Sequence, residues 1–331
     1  MASTCFRAAA RVASAASRSA AAGRAAPFAG RAASAARRAP CFSRADMALL
    51  DSCNGLLLLR YSASCQPVPF FNVVCNPTNR QWVALPEPSH AVGMSGFDSD
   101  DLGEKPKPRT LSAALAFDPA VSPHFHVFQL VGKYRELCFT VEAVEIYSSE
   151  ARKWSLRQSG WSEPVVCSST RRFAYLDGFL HFATSSDAVA AVDTAGEAWR
   201  VTRVRPRCQM AGAGLVGRSQ GRLLYVDACK HGDGDALSVY ALEDPEEWTL
   251  KQSVTTLELL GPRKKKPLPR YSAVAFHPDC NVIFIFDGVW SVLMAYDMDR
   301  KDVSAMRANF TEASRYHPLF SHMFPCTRGQ Y

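Results

Sequence analysis

The chain has 331 residues, 47% of them hydrophobic, which is enough to build one large core or two ordinary ones. Its net charge of +7 is unevenly placed: residues 1–45 hold eight arginines and no acid, and the rest carries 30 basic against 31 acidic residues. A near-neutral body argues against a nucleic-acid surface, and no apolar run reaches the ~18 residues of a membrane-spanning helix.

Residues 1–45 are dominated by Ala, Arg and Ser. Arg11, Arg18, Arg24, Arg31 and Arg38 recur at steps of six or seven, which puts them on one stripe of a helix. An acid-poor, Arg- and Ser-rich segment of this kind reads as an organelle import leader, mitochondrial ahead of plastid. The other reading is a low-complexity tail, which leaves the chain cytoplasmic or nuclear. Either way the segment is excluded from the fold, whose domain is expected over residues 46–325.

From there the text is one of repeated hairpins, and such repeats outrank local motifs. "FNVVCNPTNRQWVALP" from Phe71 sets the pattern: an apolar run, a small polar turn, and a tryptophan in the next run. After an insertion at 90–110, rich in Gly, Pro, Ser and charge and expected to be flexible, the pattern returns. It reads "VEIYSSEARKWSLRQ" from Val144, "AVAAVDTAGEAWRVTRV" from Ala188 and "LSVYALEDPEEWTLKQ" from Leu237. A fifth copy, "LMAYDMDRKDVSAMR" from Leu293, has Val303 in the tryptophan's place.

After Trp154, Trp199 and Trp248 the residue two places on is apolar (Leu156, Val201, Leu250), with polar residues between. Period-two alternation predicts half-buried antiparallel strands, with the tryptophans, Trp82 included, on the inner face. A second hairpin stands between these units: "FAYLDGFLHFAT" from Phe173, "GRSQGRLLYVDA" from Gly217 and "AVAFHPDCNVIFIFDG" from Ala273. Asp177-Gly178 is a tight-turn signal. Two hairpins per unit make a four-stranded blade, and little helix is expected.

Several short motifs suggest chemistry. Gly212, Gly214 and Gly217 spell G-x-G-x-x-G, and Gly217, Ser219 and Gly221 spell G-x-S-x-G. The first needs a helix to receive a pyrophosphate and the second a strand-turn-helix elbow. A new strand begins by Leu223, so no helix fits, and glycine tolerance of turns explains both matches. His124 and His126 would share a strand face but lack a third metal ligand. "HGDGD" from His231 lacks the span of a calcium loop. Arg263–Lys266 is a cationic run, a solvated loop or a nuclear import signal. Eleven scattered cysteines include no C-x-x-C pair and read as free thiols.

In order, "DSCNGLLLLR" (Asp51 to Arg60), "VVCNPTNRQWVALP", "LAFDP" at Leu115, "VEIYSSEARKWSL" and "LDGFLHF" resemble the plant F-box-associated domain, over roughly residues 48–320. The resemblance implies an all-β, kelch-like β-propeller of about five to seven four-stranded blades, complete or not. It also implies a role in presenting target proteins for ubiquitin transfer by an SCF-type ligase. No leucine- and proline-rich F-box precedes Asp51, so a Skp1-type adaptor is not expected as a partner. The expectation is a non-enzymatic protein-binding propeller with an unidentified protein target. It has no catalytic, cofactor-binding or metal residue and no cofactor. The alternatives are a rearranged relative that has lost the ligase role and an enzyme on a propeller scaffold.

Overall fold

The structure is a computed structural model, and it describes residues 47–61, 71–89, 109–135, 138–167, 173–204, 214–231, 234–244, 247–255, 258–259, 271–287 and 292–306. The leader, Arg263–Lys266 and residues 90–108 of the insertion lie outside them.

The apolar runs become strands grouped in fours. The first group is β1 (Met47–Cys53), β2 (Leu56–Tyr61), β3 (Phe71–Asn76) and β4 (Gln81–Ala84). The second is β5 (Arg109–Ala116), β6 (His126–Arg135), β7 (Cys138–Ser148) and β8 (Lys153–Gln158), with a short β9 (Val165–Cys167) added on β7. The third is β10 (Phe173–Leu176), β11 (Phe179–Ala183), β12 (Ala188–Asp193) and β13 (Trp199–Arg203). The fourth is β14 (Leu215–Ser219), β15 (Arg222–His231), β16 (Gly234–Asp244) and β17 (Glu247–Thr255). The fifth is β18 (Tyr271–Phe276), β19 (Val282–Asp287), β20 (Val292–Asp297) and β21 (Asp302–Met306).

Each group is an antiparallel sheet in sequence order, so the described residues form five four-stranded blades, with β9 added at the edge of the second. The first strands β1, β5, β10, β14 and β18 neighbour one another in that order and form the inner wall. The four tryptophan hairpins, and the fifth copy with Val303, are the third and fourth strands of their blades, and the intervening hairpins are the first and second.

Turn chemistry explains why the hairpins close where they do. The outer turns are held by their first residue. Asn76 Oδ1 accepts from the Thr78 and Asn79 N–H groups, Ser148 Oγ from Ala151, and Asp297 Oδ1 from Asp299 and Arg300. Each of these turns ends on one left-handed residue, Arg80, Arg152 or Lys301. Such side-chain to backbone bonds are why Asn, Asp and Ser initiate turns.

The core lies in the seams between blades. Leu56, Leu58 and Val74 of the first blade pack on Leu115, Val127 and Tyr147 of the second. Phe128, Phe139 and Ile146 of the second meet Leu180, Phe182 and Val192 of the third. Val216, Leu223 and Tyr225 of the fourth meet Ala174 and Val189 of the third. Ile283, Ile285 and Tyr296 of the fifth meet Leu224, Val226 and Val239 of the fourth. Each such side chain contributes about 1.5–3 kcal/mol on burial, so the seams supply most of the stability.

The tryptophans depart from the sequence expectation. Trp248 is buried, Trp154 and Trp199 are half-buried, and Trp82 is 37% exposed. Leu156 and Leu250 are 40% and 57% exposed rather than turned inward. The reason is radial. Blades fan out from the axis, so a seam is widest at the fourth strand, and only a side chain as long as tryptophan spans it. Three of them reach back to the preceding blade. Trp154 Nε1 donates to the Pro86 carbonyl at 2.8 Å, and Trp248 Nε1 donates to Thr202 Oγ1 at 3.0 Å. Trp199 stacks edge-on against Trp161 with ring centroids 4.5 Å apart.

Candidate functional site: the mouth of the central channel

Three inner hairpins close on two-residue turns: Asn54-Gly55, Asp177-Gly178 and Gln220-Gly221. Both residues of each turn have positive φ, from 43° at Asn54 to 88° at Gly55. This is the mirror-image turn whose twist suits a hairpin, and Asn-Gly and Asp-Gly are its commonest sequences. All three turns join a first strand to a second, so they stand at one end of the channel.

The two remaining inner loops are longer. In the loop from Phe117 to Phe125, Asp118 Oδ1 accepts from Ala120 N at 3.0 Å. In the loop from His277 to Asn281, His277 Nδ1 accepts from the Asp279 and Cys280 N–H groups, both at 3.1 Å.

Hydrogen bonds run around this rim from blade to blade. Asn54 Nδ2 donates to the Phe117 carbonyl at 2.6 Å, and the Cys53 thiol donates to the same oxygen at 3.3 Å. Gln220 N donates to the Pro278 carbonyl at 2.6 Å, and Ser219 Oγ to the Cys280 carbonyl at 3.0 Å. Arg218 Nη2 donates to Asn54 Oδ1 at 2.8 Å and links the fourth blade to the first.

Inside the rim lies a cavity of about 130 Å³. Phe173, Val216, Val274 and Phe276 give it apolar walls, and Asn54, Tyr175 and Arg218 give it polar ones. Burial pushes the Tyr175 hydroxyl pKa up, and the nearby Cys53, Asp118 and Asp177 push it the same way. Tyr175 therefore stays a neutral hydrogen-bonding group. Deeper, between β1 and β5, Asp51 accepts from Ser52 N at 2.8 Å and Leu115 N at 2.7 Å. Burial outweighs those two bonds and pushes its pKa up to about 7.

The glycine-rich stretch forms part of this wall. Gly217 and Ser219 lie in β14, Gly221 in the following turn, and Gly212 outside the described residues. Positive φ explains only Gly221. Gly214 and Gly217 are needed for a different reason: a Cβ at Gly214 would lie 2.2 Å from the Tyr225 ring, and one at Gly217 2.3 Å from Phe276. The two glycines make room for rings, not for a pyrophosphate. Ser219 spends its hydroxyl proton on a carbonyl, which is a structural bond rather than a nucleophile's pairing with a base.

The other sequence candidates lie elsewhere. His124 precedes β6 and only His126 lies in a strand, so they share no strand face. Among the described residues no three His, Cys, Asp or Glu side chains are grouped to hold a metal ion. His231 ends β15 and pairs with Gly234 across a hairpin end. Sequence reasoning missed Asn54, Tyr175, Arg218 and Phe276. Asn54-Gly55 between two apolar runs was the available signal.

Blades arranged around a channel, with a rim of tight turns, define a β-propeller. Residues 31–328 match the family described as "F-box protein At3g26010-like, beta-propeller", and the chain belongs to that family. It is 25% identical over 234 residues to "F-box protein At5g07610" of Arabidopsis thaliana, covering 64% of this chain and 49% of the relative. The chain thus spans about half the length of the curated relative it matches. Among solved structures, "Crystal structure of Nidogen/Laminin Complex" aligns with a TM-score of 0.42 at 11% identity, over 78% of this chain and 80% of that one. "Crystal Structure of Mitotic Checkpoint Complex" aligns with a TM-score of 0.41 at 12% identity, over 79% and 66%. No helix among the described residues is long and apolar enough to cross a membrane.

Proposed function

We propose that this chain is a non-enzymatic, protein-binding propeller that recognises its target at the channel mouth. The observation that carries this is the Arg218–Asn54 pair within a rim of rigid two-residue turns, over a cavity with apolar walls. A buried apolar surface with a few fixed polar groups is what a protein anchor residue needs. The finer reading is the substrate-recognition part of an SCF-type ubiquitin ligase. It is supported by the family, whose name is that of F-box proteins. The described blades contain no helical module that would dock a Skp1-type adaptor, so this region is not proposed to bind one.

Proximity labelling with the wild type and with Arg218→Ala tests the proposal. Partners enriched by the wild type and lost with a correctly folded variant support recognition at the mouth. Identical partner sets refute it. A pull-down with purified Skp1-type adaptor tests the second part, and robust binding to residues 47–306 would overturn it. Residues 1–45 are proposed as an import leader, and a reporter fused to them that stays diffuse in the cytosol would exclude that role.

A further inference from the structure

The seam between the first and second blades changes character along its length. Leu56, Leu58 and Val74 face Val127 and Tyr147 in one apolar cluster. Side chains on a strand alternate, so residues two further along take the same face. On β2 and β3 these are Arg60 and its cross-strand partner Asn72. On β6 and β7 they are Gln129 and its partner Glu145. Four polar side chains therefore enter one seam at one level. Gln129 is 0% exposed and Asn72 6%.

Glu145 is engaged, since its Oε1 accepts from Ser89 N at 2.8 Å. The others are unmatched. Arg60 Nε and Nη2, both amide atoms of Gln129 and Asn72 Oδ1 are buried and find no hydrogen-bond partner among the described residues. Burial also lowers the Arg60 pKa. Two buried guanidinium N–H groups left unpaired are unfavourable, and a fully buried amide left unpaired adds to the cost.

The unmatched atoms have a common complement. Nε–H and Nη2–H lie parallel on one edge of a guanidinium and form the fork that takes two oxygens of a carboxylate or phosphate. The Gln129 amide offers a donor and an acceptor, and Asn72 Oδ1 a second acceptor. Those acceptors require a ligand that also carries an O–H.

We propose that this seam binds a small oxyanion bearing a hydroxyl, either hydrogen phosphate or a small hydroxycarboxylate, through the Arg60 fork and the Gln129 amide. The site is separate from the channel mouth.

The test is the thermal unfolding midpoint of the full chain, titrated with sodium phosphate, sodium glycolate, sodium acetate or sodium chloride at constant ionic strength. Phosphate also stabilises proteins non-specifically by exclusion from their surface, so the readout is the difference between wild type and Arg60→Met. Either phosphate or glycolate is expected to raise the wild-type midpoint by about 3 °C more than the variant's at about tenfold the dissociation constant. The stronger of the two identifies the source. Acetate, which lacks the hydroxyl, is expected to do less, and chloride nothing. Equal responses in wild type and Arg60→Met would overturn the proposal. Should that variant not fold, Gln129→Leu takes its place in the same titration. A wild-type response larger than that variant's supports the site, and equal responses refute it.

Discussion

Arg218 and Asn54 are 164 residues apart in sequence, and their side chains meet at 2.8 Å. The bond joins the fourth blade to the first across the channel mouth, and Asn54 passes the link to the second blade through Phe117. A double-mutant cycle with Arg218→Ala and Asn54→Ala is expected to give a coupling of about 1 kcal/mol in urea unfolding. Strict additivity would show that the bond does not tie the blades together in solution.

The tryptophans should differ in cost although they share a sequence pattern. Trp248→Ala empties a buried seam and is expected to cost about 3–5 kcal/mol. Trp248→Phe keeps the packing and loses the bond to Thr202, at about 1 kcal/mol. Trp82→Ala, at an exposed position, is expected to cost under about 1 kcal/mol. Denaturant midpoints for the three variants check the order.

Two glycines near the mouth should fail for different reasons. Gly217→Ala drives a methyl group into the Phe276 ring and is expected to cost about 1–3 kcal/mol, with altered shape in the cavity. Gly178→Ala meets open space but keeps a φ of +82°, at a cost of about 1 kcal/mol. Near-ultraviolet dichroism separates them: only the first variant is expected to perturb the aromatic signal.

Two half-buried groups are expected to make opposing contributions to the pH dependence of stability. The Asp51 pKa is pushed up from 3.8 to about 7, chiefly by burial. The folded state therefore holds that proton more tightly than the unfolded one. Its contribution is complete below pH 3.8 and is lost as pH rises to about 7. The His181 pKa is pushed down from 6.5 to about 4, again chiefly by burial. Its contribution is complete above pH 6.5 and is lost as pH falls to about 4.

Between about pH 4 and 6.5 the two slopes offset, so on their account the wild type changes little there and weakens from 6.5 to 7. Asp51→Asn removes one of the pair, and the variant is expected to lose stability steadily as pH falls from 6.5 to 4. Urea midpoints across that range provide the measurement, and a profile parallel to the wild type's would contradict it.

What was readable in the sequence was what fifteen neighbouring residues encode. The five outer hairpins and three of the inner ones are local objects, fixed by alternation and by turn residues such as Asn76 and Asp177. The channel mouth is not local. Arg218 looks like an ordinary strand cation until the ring brings Asn54 to it. The same limit applies to the tryptophans: alternation shows which face of a strand a side chain takes, but not how far from the axis that strand stands. Leu250 keeps perfect alternation and is still 57% exposed. Gly217 was misattributed for the same reason, because the ring that requires it comes from the next blade.

The backward reach of Trp154, Trp199 and Trp248 gives the molecule a direction in time. Each of these side chains finds its contact on the blade that left the ribosome before its own. At these three positions a nascent blade meets a partner that is already synthesised. A circularly permuted chain that began at the fourth blade would have to synthesise Trp248 before Thr202 existed.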